Sequence, residues 1–446
     1  MSINLKSDPI HRSFLQYLLP ALTGMIIKSL FIMGDAWFIG QGVGAQGLGA
    51  ISLVVPAFSV FVAVSMMIGI GGASLMSIEF GKGNKQIGQV LFNQAMLFTA
   101  IISTVLVVSA LVWIDEILLL MGASGEIAQL ANDYLSTLLL FFVLYSLAWV
   151  LSCFVRNDTN PKLATYAMSI GAIVNLILDY FFVIEFGWGM KGAAFATGLA
   201  QLVIAAILMS HFIGKRGQLR FNLKGMGFDQ LGRILKIGTP IFFIEITSAM
   251  TVLLFNYVLL TRFSESYIIA YGLTANVGVF ALFTMVGISQ ACQPIISFNY
   301  GAGQIKRVYE ILWLGLYVAL GGGVLFLLTV WLTSEQIARL YLNDSFDLVA
   351  LSSKALFFYF MAVPLMGLNI VIANLFQAIA KPMHSSVISL GRGFVFVAIG
   401  VLFLPGIFPE NGIWSSILFA ETITALLSVF FLYKFLKSPE RRPVPA

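Results

Sequence analysis

The chain has 446 residues, of which 59% are hydrophobic and 10% charged, with a mean hydropathy of +0.95. So few charges cannot coat a water-facing surface of this size, which excludes a soluble globular protein. The 25 Lys and Arg residues outnumber the 20 Asp and Glu, a formal charge of +5 that would suit nucleic acid only if it were gathered on one surface.

The chain opens with a polar segment, Met1 to Arg12, and the first apolar run that follows has no small-residue cleavage site, so it reads as a retained span rather than a signal peptide. Apolar stretches long enough to cross a hydrocarbon core of roughly 30 Å then begin near Phe14, Leu48, Ile87, Ile127, Leu163, Gly192, Ile234, Tyr267, Val308, Val349, Met383 and Gly412. That gives twelve spans. With the N-terminus inside, 19 of the 25 basic residues fall on inner segments, among them Lys82, Lys85, Arg156, Lys162, Lys215, Arg216, Arg220, Lys224, Arg233, Lys236, Arg441 and Arg442. Lys191, Arg262 and Arg339 fall outside, and Lys28, Lys354 and Arg392 lie within spans. This asymmetry predicts an even span count with both termini inside, and it explains the basic charge as topology, with no nucleic-acid partner.

A shift of about 220 positions superimposes Pro20 on Pro240, Gly81-Lys82-Gly83 on Gly301-Ala302-Gly303, Gly192 on Gly412 and, one place off, Pro161 on Pro382. Each copy holds six spans and enters from the same side. The expected architecture is therefore an all-α membrane protein, with twelve transmembrane helices in two six-helix bundles related by a pseudo-two-fold axis along the membrane normal. The basic stretch from Lys215 to Lys236 is the natural linker, so residues 1–220 form the N-lobe and 221–446 the C-lobe.

Seven charged residues lie inside spans: Lys28, Asp35, Asp179, Glu245, Lys354, Arg392 and Glu421. A charge at mid-membrane costs at least about 2.5 kcal/mol, so each requires a partner, a neutral form or water. Counting helix rise from the span ends puts Asp35 and Asp179 about 8 to 9 Å below the outer boundary, with Thr197 at the same depth. Asn175 stands one turn from Asp179 on the same face. Two carboxylates, an amide and a hydroxyl at one depth can hold Na⁺ through oxygen ligands, share a proton, or simply tie helices together. Their repeat-mates in the second half are apolar, Phe255 and Ile399 or Gly400, an asymmetry that a purely structural knot does not need.

Lys28, two turns before Asp35, is either its counter-charge or a snorkelling side chain. Glu245 either faces a central cavity, where it would attract a cationic substrate, or pairs with Arg392 or Lys354. Arg392 and Glu421 fall near mid-depth on neighbouring spans and read as a structural ion pair.

Cys153 and Cys292 sit in apolar runs with no CxxC spacing, and His11, His211 and His384 stand at polar span ends. No HExxH or GxSxG is present, so no catalytic set, metal centre or cofactor is expected.

Gly34-Asp35-Ala36-Trp37-Phe38-Ile39-Gly40, Gly69-Ile70-Gly71-Gly72-Ala73 with Gly81-Lys82-Gly83-Asn84, and Pro294-Ile295-Ile296-Ser297-Phe298-Asn299-Tyr300-Gly301 together resemble the bacterial multidrug and toxic compound extrusion (MATE) family over essentially the whole chain. The resemblance implies a secondary antiporter of the cell inner membrane. Such a protein exports cationic amphipathic drugs or metabolites against inward H⁺ or Na⁺, by alternating access of two lobes, as a monomer in lipid. It also implies ion coupling at Asp35, Asn175, Asp179 and Thr197, and it matches Glu245 to an acid that one branch carries in the seventh span. That branch has a second acid in the tenth, where this sequence has only Asn369, Asn374 and Gln377, so the ion site is expected in the first lobe. A flippase of lipid-linked saccharides would require several basic residues in its cavity, against Lys28 and Arg392 here. A passive channel would conduct regardless of Asp35.

Overall fold

The structure, a computed structural model, describes residues 4–222, 227–341, 346–409 and 411–437; Lys224, Arg441 and Arg442 lie outside the described residues. The described residues are helical, with no strand among them. Twelve helices are long and apolar enough to cross a membrane: Ile10–Gly42, Gln46–Gly81, Lys85–Val112, Gly125–Asn157, Pro161–Glu185, Gly189–Ile213, Leu231–Arg262, Ser266–Gly301, Ile305–Leu340, Phe346–Ala378, Pro382–Ile407 and Gly412–Lys437. They are called the first to twelfth spans below. Side chains such as Leu140, Leu332, Leu340 and Tyr317 point outward from them. That much exposed apolar surface is stable only against lipid.

The internal repeat reaches the hydrogen-bond level. The second span ends where Asn84 N donates to Glu79 O (2.9 Å) and Gly83 N to Phe80 O (3.0 Å). The eighth ends identically, with Gln304 N donating to Asn299 O (2.9 Å) and Gly303 N to Tyr300 O (3.1 Å). Both are Schellman caps, which need a left-handed residue, and Gly83 (φ 87°) and Gly303 (φ 71°) supply it without a Cβ penalty. The fourth and tenth spans close through a second matched pair of left-handed residues, Thr159 (φ 64°) and Ala380 (φ 58°). Pro161 and Pro382 then start the next spans at the position where a missing N–H costs nothing.

The chain packs as two compact units, Met1–Glu245 and Ile246–Ala446. The packing boundary thus falls inside the seventh span, 25 residues beyond the end of the duplicated sequence unit at 220. Two features of the first unit account for this. The segment after the sixth span is fastened down: buried Asp158 accepts from Gln218 N (2.9 Å), Leu219 N (3.2 Å) and His211 Nε2 (2.9 Å), and Leu219 and His211 are buried with it. Gln89 Oε1 then accepts from Arg220 N (2.8 Å), and Gln94 Nε2 donates to Asp229 Oδ1 (2.5 Å). The hydrogen bonds from Gln94 and Gln230 hold the Asp229 carboxyl below the usual carboxylate range.

The N-terminal half of the seventh span also lies backbone to backbone against the second. A Cβ on Gly238 would collide with the Met67 carbonyl oxygen, and one on Gly71 with that of Ile234. Arg233 lies 3.6 Å from Glu79, which also binds Lys82 (3.2 Å). Gly238→Ala is expected to force these helices apart, at a cost of about 1 to 3 kcal/mol. A lowered thermal midpoint in detergent would register it; an unchanged midpoint would mean that the helices do not touch there.

In the second unit, the core around Phe255, Val397, Val401, Ile413 and Trp414 is apolar and aromatic. Phe255 stacks on Tyr271 with centroids 4.6 Å apart, and Tyr267 on Trp414 at 5.4 Å. This occupies the place where the first unit carries its acids.

Candidate functional site

The first, fifth and sixth spans converge because little stands between them. Gly34 has no side chain where one would overlap Leu176. Thr165 Oγ1 donates to Pro20 O (2.8 Å), tying the fifth span to the first. The result brings Asp35, Asn175, Asp179 and Thr197 into one cluster. Asn175 Nδ2 donates to Asp179 Oδ2 (2.9 Å), and its Oδ1 accepts from Thr197 N (3.2 Å). Asn175 and Asp179 are fully buried and Thr197 nearly so. Asp35 and Asp179 lie close enough for each carboxylate to feel the other's charge.

Asp35 Oδ1 and Asp179 Oδ1 are both buried and have no hydrogen-bond partner among the described residues. Native cores leave few such atoms, because a buried polar oxygen left unpaired costs about 1 to 3 kcal/mol. The cluster is a set of aimed acceptors that a proton or a small hard cation would complete.

Two features here were not expected from sequence. Tyr134, buried in the fourth span, lies in the field of both carboxylates. Immediately after Asp179 the fifth span widens into a π-helical stretch, Tyr180–Glu185, with Phe186 N donating to Phe181 O (2.8 Å). Such a bulge turns the residues after Asp179 by a fraction of a turn and is common at functional sites. Tyr134 stands in the polar run Asn132-Asp133-Tyr134 near the start of the fourth span, and nothing in that run points to the acids of the first and fifth spans. The segment Tyr180-Phe181-Phe182-Val183-Ile184-Glu185 carries no signal for the bulge.

Lys28 has Glu245 as a charged neighbour, and Glu245 also acts electrostatically on Tyr145. Lys28 Nζ stands 5.5 Å from the centroid of the Trp149 ring and lines a cleft enclosed by the first, fourth, fifth and sixth spans.

In the second unit the structure brings Arg392 and Glu421 together. Arg392 Nη2 and Nε donate to Glu421 Oε1 at 2.8 and 3.2 Å, and Asn369 Nδ2 donates to Glu421 Oε2 (2.7 Å). Ser428 Oγ then donates to Asn369 Oδ1 (2.8 Å). Both Glu421 carboxylate oxygens are engaged, unlike the acids of the first unit. Arg392 sits in a second π-helical stretch, Gly391–Val395.

Set against known proteins, the chain matches the MatE family model twice, over residues 20–181 and 240–402. The multidrug export protein MepA of Staphylococcus aureus (strain MSSA476) is 22% identical over 435 residues, covering 96% of this chain and 94% of that protein. The structure of an outward-facing multidrug resistance MATE family transporter of the MOP superfamily superimposes with a TM-score of 0.90 at 20% identity, covering 97% of this chain and 98% of the other. A mutant of the Vibrio cholerae MATE transporter VcmN does so with a TM-score of 0.91 at 20% identity, covering 97% and 98%.

Proposed function

Since the chain belongs to the MatE family and is a multi-pass membrane transporter of the multidrug efflux type, we propose that it exports cationic amphipathic compounds across the cell inner membrane in exchange for H⁺ or Na⁺. The single observation that carries this reading is the Asp35/Asp179 cluster, with two buried carboxylate oxygens left unpartnered beside Asn175 and Thr197.

An ion taken up at these oxygens removes the cost of their exposure to a dry interior, so the loaded and empty forms favour different packings of the first unit. Loading in one orientation and release in the other couples the ion to the substrate, in lobes of residues 1–220 and 221–446 that alternate access around the substrate, the protein acting as a monomer in lipid. Na⁺ would take carboxylate, amide and hydroxyl oxygens as ligands; a proton would bridge or neutralise the pair. Glu245 supplies negative charge for the cationic end of the substrate. Arg392 and Glu421 hold the second lobe together.

The test is ethidium accumulation by inside-out vesicles under an imposed H⁺ gradient or an imposed Na⁺ gradient. One of the two should drive accumulation, and that result names the ion. Absence of accumulation under both, with the protein folded, would transfer the weight to a lipid-linked saccharide flippase; accumulation that only follows ethidium's own gradient would indicate a channel.

A further inference from the structure

Another cleft of the first unit, of about 560 Å³, lies between the first and fifth spans at their N-terminal ends, and its size falls within the range of ligand sites. It follows the first span from His11 to Thr23, about 18 Å of helix, and its chemistry is sorted along that length. His11, Arg12 and Lys162 line the end nearest the helix starts, and no acid is among the lining residues. Leu15, Leu19 and Tyr166 follow, each more than half exposed, so the cleft opens onto the apolar surface that faces lipid. Gln16 adds an amide whose Oε1 has no partner among the described residues. Both spans present their N-termini here, and neither carries an acid in its first turn. Two helix dipoles thus add positive potential to that of the basic side chains, a setting that favours a bound anion. The positive-inside rule accounts for basic residues at inner span ends, but not for their convergence on one cleft with two helix N-termini.

We propose that this cleft binds an anionic phospholipid of the inner leaflet, with the phosphate held by Arg12 and Lys162 and an acyl chain lying along Leu15 and Leu19. With the N-terminus inside, the basic end of the cleft stands at the level of the inner headgroups, where pockets of this kind between spans take acidic lipids. A guanidinium engages two phosphate oxygens at once and an ammonium adds a compact charge, while His11, Gln16 and Tyr166 bring further hydrogen-bonding groups. The order of side chains along the helix selects lipid over a free phosphate. A phosphate alone would satisfy the basic end and leave the apolar length unfilled, whereas a phospholipid has the same order of charge followed by hydrocarbon.

Native mass spectrometry of the purified full chain in detergent, titrated with dioleoylphosphatidylglycerol or dioleoylphosphatidylcholine, provides the test. Wild type is expected to retain one phosphatidylglycerol per chain, with an affinity roughly tenfold above that for phosphatidylcholine. A variant carrying both Arg12→Gln and Lys162→Gln should hold the two lipids equally. A control carrying Lys85→Gln and Lys306→Gln, which removes the same charge from the starts of the third and ninth spans, should keep the preference. Equal retention of the two lipids by wild type overturns the proposal, as does a folded Arg12→Gln, Lys162→Gln protein that still prefers phosphatidylglycerol. Loss of the preference in both double variants alike would make overall charge the cause and overturns it too. Glycerol 3-phosphate in large excess should not displace the bound phosphatidylglycerol; displacement would identify a site for a free phosphate and overturn the lipid assignment. The wild-type comparison needs no variant, so a double variant that does not fold leaves the decisive measurement in place.

Discussion

Asp35→Asn should lower gradient-driven ethidium accumulation by roughly 10- to 100-fold, the loss expected when one ion site stops biasing the transport equilibrium. The amide keeps the size of the side chain and removes its capacity to gain and lose a positive ion. The same change should leave the thermal midpoint equal or higher. Asp35 Oδ1 is buried and unpartnered, so replacing the carboxylate with a neutral group removes a desolvation cost and breaks no hydrogen bond through that oxygen. The combination of lost transport and undiminished stability is what separates an ion site from a structural knot. A folded Asp35→Asn protein that accumulates ethidium as well as wild type would take the first-unit ion site out of the mechanism.

The opposite signature is expected in the second unit. Arg392 and Glu421 are nearly buried, with side-chain exposures of 11% and 3%, and both Glu421 oxygens are bonded. Arg392→Met leaves the Glu421 carboxylate with Asn369 and no positive charge, and Glu421→Leu strands the guanidinium. Either change should cost about 3 to 5 kcal/mol, because an unpaired charge then remains in a dry interior. Replacing both together should recover most of that loss, since an apolar pair of similar volume fills the same space without a charge to solvate. Unfolding in detergent, measured on the two single variants and the double, closes the cycle. Single variants as stable as wild type but inactive would reverse the assignment and give the pair a part in transport.

The spans were readable in the sequence because lipid imposes one demand, length of apolar helix, and every start falls within a few residues of its expected position. The duplication was readable because Gly83 and Gly303 meet the same backbone requirement, which restricts residue type strongly. Uniform helix rise likewise brought Asp35, Asn175, Asp179 and Thr197 to one depth, and depth on three neighbouring spans is enough to gather them.

What stayed hidden depends on rotation and register rather than depth. The π-helical stretch after Asp179 changes only which carbonyl each N–H reaches, and the residue types of Tyr180–Glu185 are compatible with either pattern. The proximity of Lys28 to Glu245 joins the first span to the seventh, and Tyr134 reaches the acids from the fourth; neither contact follows from spacing along one helix. The packing boundary at Glu245 was hidden for a related reason. Charge and polarity mark where the chain leaves the membrane at Lys215 and re-enters after Lys236, but say nothing of which bundle half a helix joins, which Gly71 and Gly238 decide by the absence of two side chains.

With the Asp35/Asp179 pair proposed to take one monovalent ion per turn, the charge on the substrate sets the electrical character of the cycle. Trading one monovalent ion for one organic cation moves no net charge, so such a cycle runs on concentration differences and ignores voltage. A zwitterion departs with no net charge, and the entering ion then carries one positive charge inward per turn. A membrane potential of 100 mV, negative inside, contributes about 2.3 kcal/mol to that step, enough to concentrate the substrate outside nearly 50-fold with no chemical gradient of the ion at all. The same carrier would be voltage-silent with an ester and current-generating with the corresponding acid.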